Sequence, residues 1–104
     1  MIPSVREWHD QYKDAGLVVI GVHSPEFDYE KERRNVQDAV TQLGVTYPVA
    51  LDNDFGTWQA YRNRYWPTLY FIDKTGQIRH VHIGEGDYEQ SEQIIRALLA
   101  ESAR

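Results

Sequence analysis

The sequence predicts an α/β domain built on a mixed sheet. Helix-like and strand-like segments alternate from the N-terminus, the run "LVVIGVH" is almost purely apolar and β-branched, and a final strand pair joined through Gly76 leads into a closing helix.

Each element follows in order. Residues 3–15, "PSVREWHDQYKDA", put Val5, Trp8 and Tyr12 on one helical face, with Pro3 tolerated in the first turn and Gly16 as the stop. Leu17 to His23 predict a central parallel strand buried on both faces. After the loop "SPEFDYE", Tyr29 to Leu43 predict a helix with Val36, Ala39, Val40 and Leu43 on its apolar face, closed by Gly44. "VTYPVALD" predicts a short strand that Pro48 places at an edge or at its own beginning. Asp52, Asn53 and Asp54 predict an N-cap for the helix "FGTWQAYRNRY". "TLYFID", "KTGQ" and "IRHVHIG" predict a hairpin, with Ile78, His80 and His82 on one face and Arg79, Val81 and Ile83 on the other. Ile94, Ile95, Leu98 and Leu99 mark the last helix.

The 104 residues suit a single domain over 1–104, a size that buries roughly two thirds of its unfolded surface. Acidic residues number 16 against 11 basic ones, and the basic residues are scattered apart from Arg33 and Arg34. That distribution argues against a nucleic-acid or anionic-membrane surface. Apolar content is 41% and mean hydropathy −0.62, with no run approaching the ~18 residues of a membrane span, so the chain groups with soluble globular domains. "MIPSVREWHD" has neither the basic nor the apolar region of a secretory signal, so any export signal would lie outside this chain. Cysteine is absent, which removes thiolate nucleophiles, Cys-type zinc sites and dithiol chemistry from these residues. No cofactor is indicated: "GEG" at 84–86 lacks both the P-loop lysine and the dinucleotide fingerprint.

The stretches "LVVIGVH", "GVHSPEF", "YPVALDND", "YWPTLYFID" and "GQIRHVHIGEG" together resemble the thioredoxin-like fold. More closely, the chain resembles the redoxin/TlpA-type branch and the thioredoxin-like domain of DipZ-type proteins, and the helix and strand between residues 30 and 51 resemble that branch's central insertion. The resemblance implies a three-layer α/β/α architecture with a mixed sheet. It also implies a cis bond before Pro67 and a substrate groove at Trp66, Pro67 and Thr68, where the backbone before the proline pairs with extended polypeptide.

The same resemblance implies a Cys-x-x-Cys motif whose position, counted back from Pro3, falls upstream of Met1. The chain is therefore expected to lack the first core strand and the active-site motif, as a truncated or late-start product rather than a naturally cysteine-free module, and to be redox-inactive as it stands. The missing strand would lie between "LVVIGVH" and "TLYFID". Without it these strands are expected to pair directly, to take a strand from a partner chain or homodimer, or to leave the domain less stable. The implied partners are polypeptides or redox-partner proteins, and the implied setting is extracytoplasmic. The rival reading is a non-catalytic module that holds extended polypeptide in the Trp66–Pro67 groove.

Other polar residues have competing plain explanations. His23 and Glu26 flank Pro25 at the end of a strand, where ligands of open α/β sheets bind. They read as a loop histidine and a capping glutamate, or, in an intact family member, as neighbours tuning thiol acidity. His80 and His82 have a spacing that suits a metal, but no third ligand is evident and a solvated strand face is the preferred reading. "DND" reads as a cap rather than a calcium loop, Glu85 and Asp87 as loop and cap, and Trp8 and Trp58 as core.

Overall fold

A computed structural model describes residues 1–25 and 32–101. Helix α1 spans Ile2–Tyr12 and tightens into a 3-10 turn at Lys13–Ala15. Gly16 ends it at φ 111°, a left-handed conformation that costs glycine nothing. Strand β1 is Gly21–His23, helix α2 Arg33–Gln42, strand β2 Val49–Leu51 and helix α3 Gly56–Ala60. Strands β3 (Thr68–Ile72) and β4 (Ile78–Ile83) precede helix α4 (Tyr88–Ala100).

The strands form two hydrogen-bonded pairs. β1 and β2 run parallel, with Gly21 opposite Val49 and His23 opposite Leu51. β2 begins directly after Pro48, whose carbonyl accepts the Gly21 amide at 2.8 Å, so the proline sits at the strand's beginning. β3 and β4 run antiparallel, with Thr68 opposite Ile83 and an irregularity between Phe71 and Ile72. Direct pairing of β1 with β3, one of the expected outcomes, does not occur among the described residues: the parallel and antiparallel pairs are separate hydrogen-bonded units. The β-hairpin turns at Gly76 (φ 88°), as its sequence predicts.

The core joins both pairs through α1 and α4. Val5, Trp8, Tyr47, Phe71 and Ile95 are buried together, with Leu17, Val19, Leu69, Tyr88 and Leu98 packed against them. Across the helix interface, Trp8 and Tyr88 rings lie 6.3 Å apart. The Tyr12 hydroxyl donates to Glu92 Oε2 at 2.9 Å and accepts from Arg96 Nε at 2.7 Å. Trp8 is a core residue, as expected from its helical spacing.

Three expectations need correction. The "LVVIGVH" segment is not buried on both faces: Leu17 and Val19 reach the core, while Val18, Ile20 and Val22 are 76%, 63% and 46% exposed. Alternate residues of an extended chain point to opposite sides, and only the side under α1 and α4 is filled. His80 and His82 do not lie on a solvated face. They stand opposite Phe71 and Leu69, which belong to or border the core, and the His80 ring is 5.3 Å from that of Phe71. Among the described residues no metal-ligating cluster includes them. The apolar face of α2 is also narrower than its sequence suggests: Val36 is buried, whereas Ala39 and Leu43 are exposed. The expected start of that helix at Tyr29 falls outside the described residues, as does Glu26. Among the described residues no helix is long and apolar enough to cross a membrane.

Candidate functional site

The loop from Arg62 to Pro67 brings the predicted groove residues to the C-terminal end of β1. α3 stops at Ala60, well short of the helix expected over 55–65, because Arg62 turns left-handed (φ 54°) and Asn63 takes over the bonding. Asn63 Nδ2 donates to the Tyr65 carbonyl at 3.0 Å, and Asn63 Oδ1 accepts from the Tyr70 hydroxyl at 3.1 Å. Thr68 Oγ1 donates to the same Tyr65 carbonyl at 2.7 Å. One carbonyl with two donors anchors both ends of the turn.

Within this turn the Trp66–Pro67 bond is cis, and the Pro67 carbonyl accepts the Gly84 amide at 2.8 Å. Trp66 is 47% exposed. Its indole Nε1 donates to the Ser24 carbonyl at 2.8 Å, and its ring lies on that of Trp58 with centroids 4.2 Å apart at 40°. Among the described residues, the Trp66 amide and carbonyl take part in no backbone–backbone hydrogen bond. The Trp66 ring is thus held on two sides, and among the described residues its peptide unit has no backbone partner.

Beneath the groove lies Asp52, buried at 5% exposure directly after β2. Its carboxylate accepts the Thr57 amide on Oδ1 and the Trp58 amide on Oδ2, each at 2.9 Å, so it satisfies amides in the first turn of α3, although the N-cap position itself is Phe55, left-handed at φ 63°, and not one of the "DND" residues. Asp54 adds the Gly56 amide at 3.1 Å. Oδ2 of Asp52 also accepts the Ser24 hydroxyl at 2.8 Å. Burial alone would raise the Asp52 pKa, but the Thr57 and Trp58 amides and the Ser24 and Thr57 hydroxyls together hold it below the ordinary aspartate range.

His23, the last residue of β1, is half-buried, and its carbonyl accepts the Asp52 amide at 2.8 Å. Trp66, Pro67, Thr68 and His23 thus come together at one end of the strands. Ser24, Asp52, Trp58 and Asn63 complete the site. The sequence signals Asp52 and Trp58 only as a cap and a core ring, and nothing in its spacing joins Ser24 to a residue 28 positions away.

An α/β core with a cis proline just before β3 and a paired indole beside it has the features of a thioredoxin-like domain. The AhpC/TSA family pattern matches residues 1–81, and the chain belongs to that family as a thioredoxin-like domain of the TlpA and DipZ type. It is 54% identical over 98 residues to the protein DipZ of Mycobacterium tuberculosis, covering 94% of this chain and 14% of that protein. It is 32% identical to the thiol-disulfide oxidoreductase YkuV of Bacillus subtilis, covering 97% of this chain and 68% of that one. The solved structure of a thiol-disulfide isomerase from Corynebacterium glutamicum superposes with a TM-score of 0.85 at 26% identity, over 97% of this chain and 70% of that one. This chain thus corresponds to a small part of the DipZ proteins it matches.

Proposed function

We propose that these 104 residues form a thioredoxin-like domain of the thiol-disulfide oxidoreductase family that performs no dithiol turnover itself and retains the polypeptide-holding half of the site. Disulfide exchange requires a thiolate to attack and a second thiol to resolve the mixed disulfide, and the chain has no cysteine. Serine cannot replace it, since its hydroxyl is a weak nucleophile without a base and its product is not a disulfide. The test is insulin reduction with dithiothreitol or a reductase as electron donor: the chain is expected to match the protein-free rate, and enzyme-dependent turnover would sink the proposal.

The holding role rests on one observation: among the described residues the Trp66 peptide unit has no backbone partner, and it lies beside a half-exposed tryptophan. An extended polypeptide can pair with such a peptide unit while its side chains rest on the ring. Labelled unfolded peptides should bind the parent and bind Trp66→Ala at least about tenfold more weakly, a loss of about 1.4 kcal/mol. Equal binding by the two proteins would remove the role.

The setting carried over from the family resemblance is extracytoplasmic, with a redox-partner protein as the polypeptide. His23 borders the groove, consistent with a tuning role toward a thiol in an intact relative; Glu26 lies outside the described residues. A homodimer covering the open strand edges completes the proposal, and a mass that stays monomeric in light scattering at high concentration would exclude it.

A further inference from the structure

We infer that Asp52 is the positioning residue of the groove: one buried carboxylate holds the two supports between which the Trp66 indole is fixed. The inference deepens the polypeptide-holding reading, and its affinity arm rests on that reading.

The contacts close a ring. Asp52 Oδ2 accepts the Trp58 amide, fixing the residue whose ring carries Trp66 at 4.2 Å. The same oxygen accepts the Ser24 hydroxyl, fixing the residue whose carbonyl receives the Trp66 indole N–H. The Asp52 amide is itself tied to β1 through the His23 carbonyl, so the carboxylate is placed by the strand and not by the loop it supports. Among the described residues, the Trp66 side chain makes one hydrogen bond, to the Ser24 carbonyl, and a ring contact to Trp58. Both trace back to Asp52 in a single step. Asp52 does not touch the groove itself; it acts through Ser24 and Trp58.

The chemistry calls for a carboxylate. Both oxygens must accept, Oδ1 from Thr57 and Oδ2 from Trp58 and Ser24. Asparagine has nearly the same shape but one acceptor oxygen, so either orientation of its amide turns an N–H toward at least one of these donors. Alanine removes both acceptors and leaves the Ser24 hydroxyl, in a residue 7% exposed, without this partner.

The stacked indole pair supplies a readout that does not depend on binding. Two indoles at this separation give an exciton couplet in the far-ultraviolet circular dichroism, and its loss in both Trp58→Phe and Trp66→Phe would assign it to the pair. Asp52→Ala, which removes both arms, is expected to lose most of the couplet at temperatures where the protein remains folded, and to bind unfolded peptide about tenfold more weakly, as the loss of one charge-assisted bond predicts. Ser24→Ala, which removes only one arm, should weaken the couplet partly. A folded Asp52→Ala protein with an intact couplet overturns the inference. Should that variant fail to fold, Ser24→Ala decides, and an intact couplet there overturns it equally. If the parent binds no peptide, the holding role fails while the couplet still judges the positioning role.

Discussion

Asp52 and Asp73 hold their carboxylates against amides that follow them in the chain, yet one organises a site and the other a turn. Asp73 Oδ1 accepts from the Thr75 amide, the Thr75 hydroxyl and the Gln77 amide, and Oδ2 from Arg79 Nη1, all within six residues. Asp52 does the equivalent for Thr57 and Trp58, but its remaining acceptor capacity goes to Ser24, from another strand end. A short polar side chain before a turn satisfies nearby amides wherever it occurs. What makes Asp52 a hub is the tertiary neighbour that arrives at its second oxygen.

Substitution should separate the two carboxylates most sharply. Asp52→Ala is expected to cost about 2–3 kcal/mol, combining a lost helix cap with a stranded buried hydroxyl. Urea denaturation followed by tryptophan fluorescence would measure it, and a loss below about 0.5 kcal/mol, the range of ordinary surface changes, would make Asp52 no more than a surface cap.

Acid titration comes next. Hydrogen bonds from the Thr75 hydroxyl and the Gln77 amide hold the Asp73 pKa well below the ordinary aspartate range, and Asp52 lies below it despite burial. A depressed folded pKa means that the associated stability is complete above the unfolded value and is lost as pH falls toward and through the folded one. Urea midpoints should therefore decline from about pH 5 downward, and Asp52→Asn should flatten that decline. An unchanged slope in Asp52→Asn would mean that the carboxylate's charge does not contribute.

The smallest effect is expected from Asp73→Ala. It should lower the melting temperature less than Asp52→Ala does, and leave the Trp58–Trp66 couplet untouched, because every Asp73 partner lies in the hairpin. A loss of the couplet there would show that the turn and the groove are coupled.

The hairpin turn, the helix stop at Gly16 and the carboxylate bonds to the first turn of α3 were legible because each depends on residues close together in sequence. The "YWPTLYFID" stretch marked the proline at the start of β3, and the cis bond lies there. Less was legible where a side chain's fate depended on what stood across from it. "LVVIGVH" is apolar at successive positions, so its composition carries no mark of the side on which Val18, Ile20 and Val22 remain exposed. His80 and His82 are polar by type, yet their cross-strand positions opposite Phe71 and Leu69 turn them toward the core. α3 was cut short by a left-handed Arg62 and by Asn63 bonds to Tyr65 and Tyr70, which no helical periodicity in 55–65 reveals.

By itself, the sequence determined the order of helices and strands, the turn chemistry and the absence of any thiol, because these depend on residue type and on bonds spanning a few positions. Only the tertiary structure decided which side of β1 is covered, where Trp66 rests and what Asp52 holds. Those outcomes rest on contacts such as Ser24 with Asp52 and Trp66 with Ser24, 28 and 42 positions apart, which exist only once the packing of α1 and α4 has brought the strand ends together.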